Sequence, residues 1–196
     1  MGMMVSLPAV ILAGGRSSRM GVPDKCLLPL GGKPILAHVI AALAPQVSAL
    51  LLNTNSDPAL FAFCGLPLRA DIIPGFQGPL AGLLTGMLWA HEAFPEATHV
   101  ASVPADMPHL PADLIARLLA ARERDGAATA VAVQAGRMHS TLGLWPIADA
   151  GVLEAMLLQT DIRAVWRWIE RGPVALADFS DLPTFANINT KDDLGP

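Results

Sequence analysis

Apolar residues in this chain fall in continuous runs that end in turn-forming residues, not in strict alternation. The first run, Ala9, Val10, Ile11 and Leu12, leads directly to Ala13, Gly14 and Gly15. Comparable runs at 49–52, 68–73, 99–103, 128–133, 139–145 and 174–179 read as strands buried on both faces. Between them the apolar spacing turns helical. Ile35, Leu36, Val39, Ile40 and Leu43 follow Pro34, a residue suited to the first position of a helix. Leu80, Leu83, Leu84, Met87 and Leu88 follow Pro79, and Leu114, Ile115, Leu118 and Leu119 follow Pro111. Further helical patterns fall at 152–158 and 162–169, with a short helix at 58–63 and another at the C-terminus. Strands alternating with helices predict an α/β fold, a mostly parallel central sheet with helices on both faces. No repeat or linker-like stretch divides the 196 residues, so 1–196 reads as one domain.

A hydrophobic fraction of 53% and a mean hydropathy of +0.46 raise the question of a membrane protein. Every apolar stretch is broken before the ~18 residues that a spanning helix requires. Residues 1–7 lack a basic region followed by a long apolar core, and Cys26 and Cys64 form no metal-type cluster or disulfide framework. The expected location is therefore the cytoplasm. A net charge of −4 argues against binding nucleic acid by neutralising many phosphates. Positive charge is concentrated locally instead, in Arg16, Arg19, Lys25 and Lys33. A basic pocket on an acidic protein suits a small anionic ligand.

The segment from Leu12 to Lys25 carries the strongest chemical signal. Glycines let a phosphate approach the backbone, and free N–H groups with Arg and Lys provide charge. The loop is not a Walker A motif, because no Gly-Lys-Ser/Thr closes it. It is not a dinucleotide fingerprint either, since its glycines lie at 14, 15 and 21. In open α/β sheets ligands bind beyond the carboxyl ends of the strands. Gly14 and Gly15, Asn53, Asp71 and Asp106 all fall at such ends. Asp106, between Pro104 and Pro108, is the candidate Mg²⁺ ligand, since one carboxylate can hold Mg²⁺ together with substrate phosphates and water. The competing reading is a helix cap near Pro111. Lys25 and Arg19 are candidates to neutralise charge during phosphoryl transfer. Gly78 and Pro79 open a helix and could bring backbone N–H groups against a base or a second substrate. Asn187 and Asn189 could complete a metal or substrate site, or cap their own loop. His38 and His139 lack partners for a nucleophilic triad, and Trp89, Trp145, Trp166 and Trp168 read as core and cleft packing.

Leu12-Ala13-Gly14-Gly15-Arg16-Ser17-Ser18-Arg19-Met20-Gly21, Asp24-Lys25-Cys26-Leu27 and Leu30-Gly31-Gly32-Lys33-Pro34-Ile35 together resemble the N-terminal signature of the molybdenum cofactor guanylyltransferases. Gly78-Pro79-Leu80-Ala81-Gly82, Asp106-Met107-Pro108 and Asn187-Ile188-Asn189-Thr190 resemble later motifs of that family in the same order. The resemblance implies a Rossmann-like nucleotidyltransferase fold and transfer of GMP from GTP to molybdenum-bound molybdopterin, with release of pyrophosphate. It implies GTP contacts at Leu12, Ala13, Gly14, Gly15, Lys25, Asn53, Asp71 and Asp106, with Mg²⁺ on Asp106. Gly78, Pro79, Asn187 and Asn189 would then face the pterin. Other cofactor-biosynthesis proteins and apo-molybdoenzymes would be transient partners.

Two positions depart from the family. Ser140 follows His139 where relatives often carry proline, and Pro104-Ala105 precedes Asp106 where Cys or Thr is more usual. The alternatives are a cytidylyltransferase acting on molybdopterin, a sugar-phosphate nucleotidyltransferase, and a non-catalytic nucleotide or cofactor carrier. Cytidylyl relatives usually carry Ala-Ala-Gly where this chain has Ala13-Gly14-Gly15, so Gly15 favours guanine.

Overall fold

The computed structural model describes residues 7–13, 24–75, 78–183 and 187–188. The apolar runs form β1 (Pro8–Leu12), β4 (Ala49–Asn53), β5 (Leu68–Arg69), β6 (His99–Pro104), β7 (Thr129–Gln134), β8 (Arg137–Pro146) and β9 (Val174–Asp178). A separate two-stranded ribbon, β2 (Pro29–Leu30) with β3 (Lys33–Pro34), precedes the first helix. The helices are α1 (Ile35–Leu43), α2 (Pro79–Ala93), α3 (Leu114–Asp125), α4 (Ala150–Gln159) and α5 (Val165–Ile169).

The seven-stranded sheet has the order β5-β4-β1-β6-β8-β7-β9. Pairings β1–β4, β1–β6, β4–β5 and β7–β9 are parallel, whereas β8 runs antiparallel to both β6 and β7. The sheet is thus mixed and mostly parallel, as the strand–helix alternation predicts. Its antiparallel part arises because β7 and β8 are joined by the tight turn Ala135-Gly136, which allows no crossover helix.

Side chains alternate between two cores. Ala9 and Ile11 of β1, with Leu50 and Leu52 of β4, pack beneath α1 and α3. Val10 and Leu51 point the other way, into the core formed with α2, α4 and α5. Helix α2 lies very close to β1, because a Cβ at Gly86 would meet Val10 Cγ1 at 2.5 Å. Among the described residues no helix is long and apolar enough to cross a membrane.

Several predicted elements are shorter in the structure. The third strand covers only Leu68–Arg69, because the backbone leaves the sheet where Asp71 turns towards Asn55. Pro34 caps α1 from within β3 and does not begin the helix. Helix α3 starts at Leu114, three residues after Pro111, with Asp113 at its N-cap position. Of the pattern at 162–169 only Val165–Ile169 is helical. The segment Pro58–Cys64 is a 3₁₀ helix, and Asp57 accepts a hydrogen bond from Ala59 N–H at its start. The predicted C-terminal helix lies outside the described residues.

Candidate active site

Strands β4, β1 and β6 end side by side, where the chain leaves β1 for β4 on one side and β6 on the other. Such a switch point opens a crevice at the carboxyl edge of the sheet. Backbone bonds fix that edge. Ala13 N–H donates to the Asn53 carbonyl (2.9 Å), and Ala105 N–H donates to the Leu12 carbonyl (3.0 Å). Leu12 and Ala13 therefore stand between two clusters of polar side chains.

The first cluster surrounds Asp106. Its Oδ2 lies 2.5 Å from Lys25 Nζ, and both side chains are largely buried. Its Oδ1 accepts a hydrogen bond from Asn187 Nδ2 (2.5 Å), and its carbonyl accepts one from Ile188 N–H (2.9 Å). Asp106 therefore does not cap α3; its carboxylate faces the crevice. Lys25 opens a 3₁₀ turn, Lys25–Leu27, anchored by Asp24. Asp24 is buried, accepts from Ser56 Oγ (2.7 Å), and its carbonyl accepts from Leu27 N–H (3.0 Å). Cys26, buried behind that turn, has its thiol pKa pushed up to about 12, by burial first and then by the negative charges of Asp24 and Asp106. A thiol held protonated is a poor nucleophile, so Cys26 serves as packing.

The chain that follows β9, up to Pro183, is held by β7 and α3. After β9, the buried Gln134 donates through Nε2 to the carbonyls of Phe179 (3.2 Å), Leu182 (3.3 Å) and Pro183 (3.1 Å). Arg117 of α3 grips Asp181 with both terminal nitrogens (2.6 and 2.8 Å) and stacks over the Phe179 ring at 5.1 Å. Next to Asn187, the side chain of Ile188 is buried.

The second cluster surrounds Asp71. Asn53, 1% exposed, donates from Nδ2 to Asp71 Oδ1 (2.9 Å) and to the Arg69 carbonyl (3.2 Å). Gly82 of α2 leaves the space that Asn53 occupies, since a Cβ there would lie 2.2 Å from Asn53 Oδ1 and 3.0 Å from Leu12 Cδ2. The motif Gly78-Pro79-Leu80-Ala81-Gly82 thus joins this cluster through its last glycine. Gly78, at φ +72°, adopts a backbone conformation that favours glycine. It abuts the loop that carries Arg163, whose carbonyl oxygen would lie 3.2 Å from a Cβ at Gly78.

Of the residues predicted from sequence, Lys25, Asp106 and Asn187 come together, as do Leu12, Ala13, Asn53 and Asp71. Gly78 and Pro79 stand at the start of α2, against the Arg163 loop. Gly14, Gly15, Arg16, Arg19 and Asn189 lie outside the described residues. Two further residues gain a place: Asn55, which donates to Asp71 Oδ2 (2.7 Å), and Arg163 on the Gly78 side. His38 is structural, with Nε2 against the Leu30 carbonyl at 2.8 Å. Trp89, Trp145 and Trp168 are core residues, whereas Trp166 is half exposed and lies under the Arg167 guanidinium at 4.2 Å.

A crevice of this form, with a lysine–carboxylate pair at a parallel-strand switch point, suits nucleotide chemistry. The model of the MobA-like NTP transferase domain matches residues 9–174. The chain belongs to this family. A molybdenum cofactor guanylyltransferase of Rhodopseudomonas palustris (strain HaA2) is 48% identical over 189 residues, covering 95% of this chain and 88% of that protein. The same enzyme of strain BisB5 is 47% identical over 189 residues, covering 95% and 90%. The crystal structure of molybdopterin-guanine dinucleotide biosynthesis protein A from Archaeoglobus fulgidus superposes with a TM-score of 0.73 at 22% identity, covering 95% of this chain and 94% of that chain. That likeness establishes the fold. Family membership makes the chain a nucleotidyltransferase enzyme of molybdenum cofactor biosynthesis, whose chemistry calls for a divalent metal.

Proposed function

We propose that this chain transfers GMP from GTP to the terminal phosphate of molybdenum-bound molybdopterin. An oxygen of that phosphate attacks the α-phosphorus of GTP, a new P–O–P linkage forms, and the bond to the leaving pyrophosphate breaks. The supporting observation is the convergence of Lys25, Asp106 and Asn187 beside the end of β1. No residue needs to form a covalent bond, so catalysis comes from positioning and charge.

The donor set suits Mg²⁺. Asp106 offers hard carboxylate oxygens, one of which accepts the Asn187 amide N–H, while no cluster of three or more His, Cys, Asp or Glu exists among the described residues. A site with one carboxylate leaves the remaining coordination to nucleotide phosphates and water, as Mg²⁺ prefers. Asp106 would hold the ion, which would supply neutralisation of phosphate charge. Lys25 then places its ammonium against phosphate oxygens and stabilises charge as the pyrophosphate leaves. Arg19, in the same sequence motif, takes a second share of that charge. Leu12, Ala13, Gly14 and Gly15 line the nucleotide, and Asn53 and Asp71 meet its guanosine end. The Asp71 carboxylate is an acceptor for the N–H donors of guanine. Asn187, Asn189, Gly78 and Pro79 face the pterin substrate. Delivery of the product to apo-molybdoenzymes would be transient.

The test is pyrophosphate release from GTP, CTP and ATP, each with molybdenum-loaded molybdopterin, with and without Mg²⁺. Release from GTP alone, abolished by chelation, is the expected outcome. Preferential use of CTP or ATP would overturn the assignment.

A further inference from the structure

Asn55 holds Asp71 at two points. Its Nδ2 donates to Asp71 Oδ2 (2.7 Å), and its Oδ1 accepts the Asp71 backbone N–H (2.8 Å). Asn53 holds the other carboxylate oxygen at 2.9 Å. The next peptide is fixed as well, since Ile72 N–H donates to Thr85 Oγ1 on α2 (3.1 Å). A half-exposed aspartate on a loop would otherwise rotate about both side-chain torsions; here each oxygen and the flanking backbone are tied.

The chemistry of these ties matters. Asn53 and Asn55 are neutral amides, so they orient the carboxylate without neutralising it. An ionised carboxylate has about four lone-pair directions, and each oxygen here can accept another hydrogen bond. The result is a fixed pair of acceptors, suited to two adjacent parallel donors. Guanine presents such donors, N1–H and the exocyclic 2-amino group, on its Watson–Crick edge. Adenine and cytosine place a ring-nitrogen acceptor in the N1 or N3 position, facing the negative charge.

We infer that Asn55 is a positioning residue for base selection, fixing the carboxylate of Asp71 in the orientation that distinguishes guanine. The inference rests on the reading that Asp71 meets the base. Asn55 itself is exposed and need not touch the nucleotide.

The experiment compares GTP with ITP, whose base lacks the 2-amino group. Steady-state kcat/KM for both nucleotides is measured for the wild-type chain and for Asn55→Ala, Asn55→Leu and Asp71→Asn. In both Asn55 variants the preference for GTP over ITP should fall about tenfold, the worth of one hydrogen bond to a charged acceptor. The loss should appear in KM for GTP, with kcat within about twofold, because the contact is made equally in ground and transition states. Because the preference is a ratio, it does not depend on the fraction of each variant that folds. If Asp71→Asn loses the preference while both Asn55 variants keep it within twofold, the role of Asn55 is overturned. If Asp71→Asn also keeps it, the base is read elsewhere and the underlying reading fails as well.

Discussion

Asp71 and Asp106 lie at the same edge of the sheet but are held in opposite ways. Asp106 is paired with a lysine ammonium and an asparagine amide, Asp71 with two neutral amides. The partners of Asp106, Lys25 and Asn187, each lie 81 residues away, one towards either end of the chain. Those of Asp71 are local: Asn55, in the β4–β5 connection, lies 16 residues away, and Asn53, the last residue of β4, lies 18 away. A cationic partner can exchange with other charges: phosphate competes for the lysine and a divalent ion for the carboxylate. Amide partners cannot exchange in this way, so they set geometry and leave the charge intact. The first arrangement suits a centre where charge moves during reaction, the second a fixed recognition surface.

The largest effect is expected from neutralising the proposed reaction centre alone. Asp106→Asn preserves side-chain volume but removes the charge that faces Lys25. Turnover should fall by about 10²–10³-fold, as for loss of a principal electrostatic group. The preference for GTP over ITP in nucleotide binding should persist, since Asp71 keeps its ties. Activity within tenfold of wild type would remove Asp106 from the centre.

A smaller effect is expected from crowding the Asp71 cluster. Gly82→Ala would place a methyl group 2.2 Å from Asn53 Oδ1, in a pocket where Asn53 is 1% exposed. Overpacking of this kind costs about 1–3 kcal/mol. Displacing Asn53 moves its hold on Asp71, so KM for GTP should rise about tenfold, with kcat largely retained. A variant with wild-type KM and an unchanged melting temperature would show that Asn53 has room to move.

The two clusters were unequally visible in the sequence. The strands of the parallel half stand out because each is a continuous apolar run, and the ends of those runs already mark Asn53 and Asp106. The antiparallel placement of β8 does not stand out, because the pairing partner of an apolar run leaves no local trace. Asp106 is recognisable from its position after a strand and Lys25 from its place just past the glycine loop, but their ion pair spans 81 residues and no spacing announces it. Asn187 is ambiguous alone, since an asparagine in a loop more often serves its own backbone. Gln134 and Arg117, which hold the chain after β9, read as an ordinary strand end and helix surface. Asn55 reads only as a turn residue after β4. Its role depends on the early exit of β5 from the sheet, and a weak apolar pattern at 68–73 conceals that exit.

The smallest effect concerns pH and tests whether the two clusters are separate from the opposite edge of the sheet. Both clusters are built from Asp, Asn and Lys, whereas His99 begins β6 at the end away from Asp106. Its Nε2 lies 3.0 Å from the Ala128 carbonyl, and the Arg122 guanidinium lies 3.0 Å from the same ring. Burial, and then the positive charge of Arg122, hold its pKa below the usual 6.5. The unfolded chain therefore takes up the proton first as pH falls, and the folded state loses stability from about pH 6.5 downwards. The limiting slope for one such group is about 1.4 kcal/mol per pH unit. Solvent screening of the partly exposed ring keeps the actual effect well below that limit. Denaturation midpoints measured between pH 7 and 5 should therefore decline less steeply in His99→Gln than in the wild type. Turnover at pH 7 should be the same in both. A changed turnover would couple this edge to the reaction centre, and an unchanged decline would assign the acid sensitivity to another group.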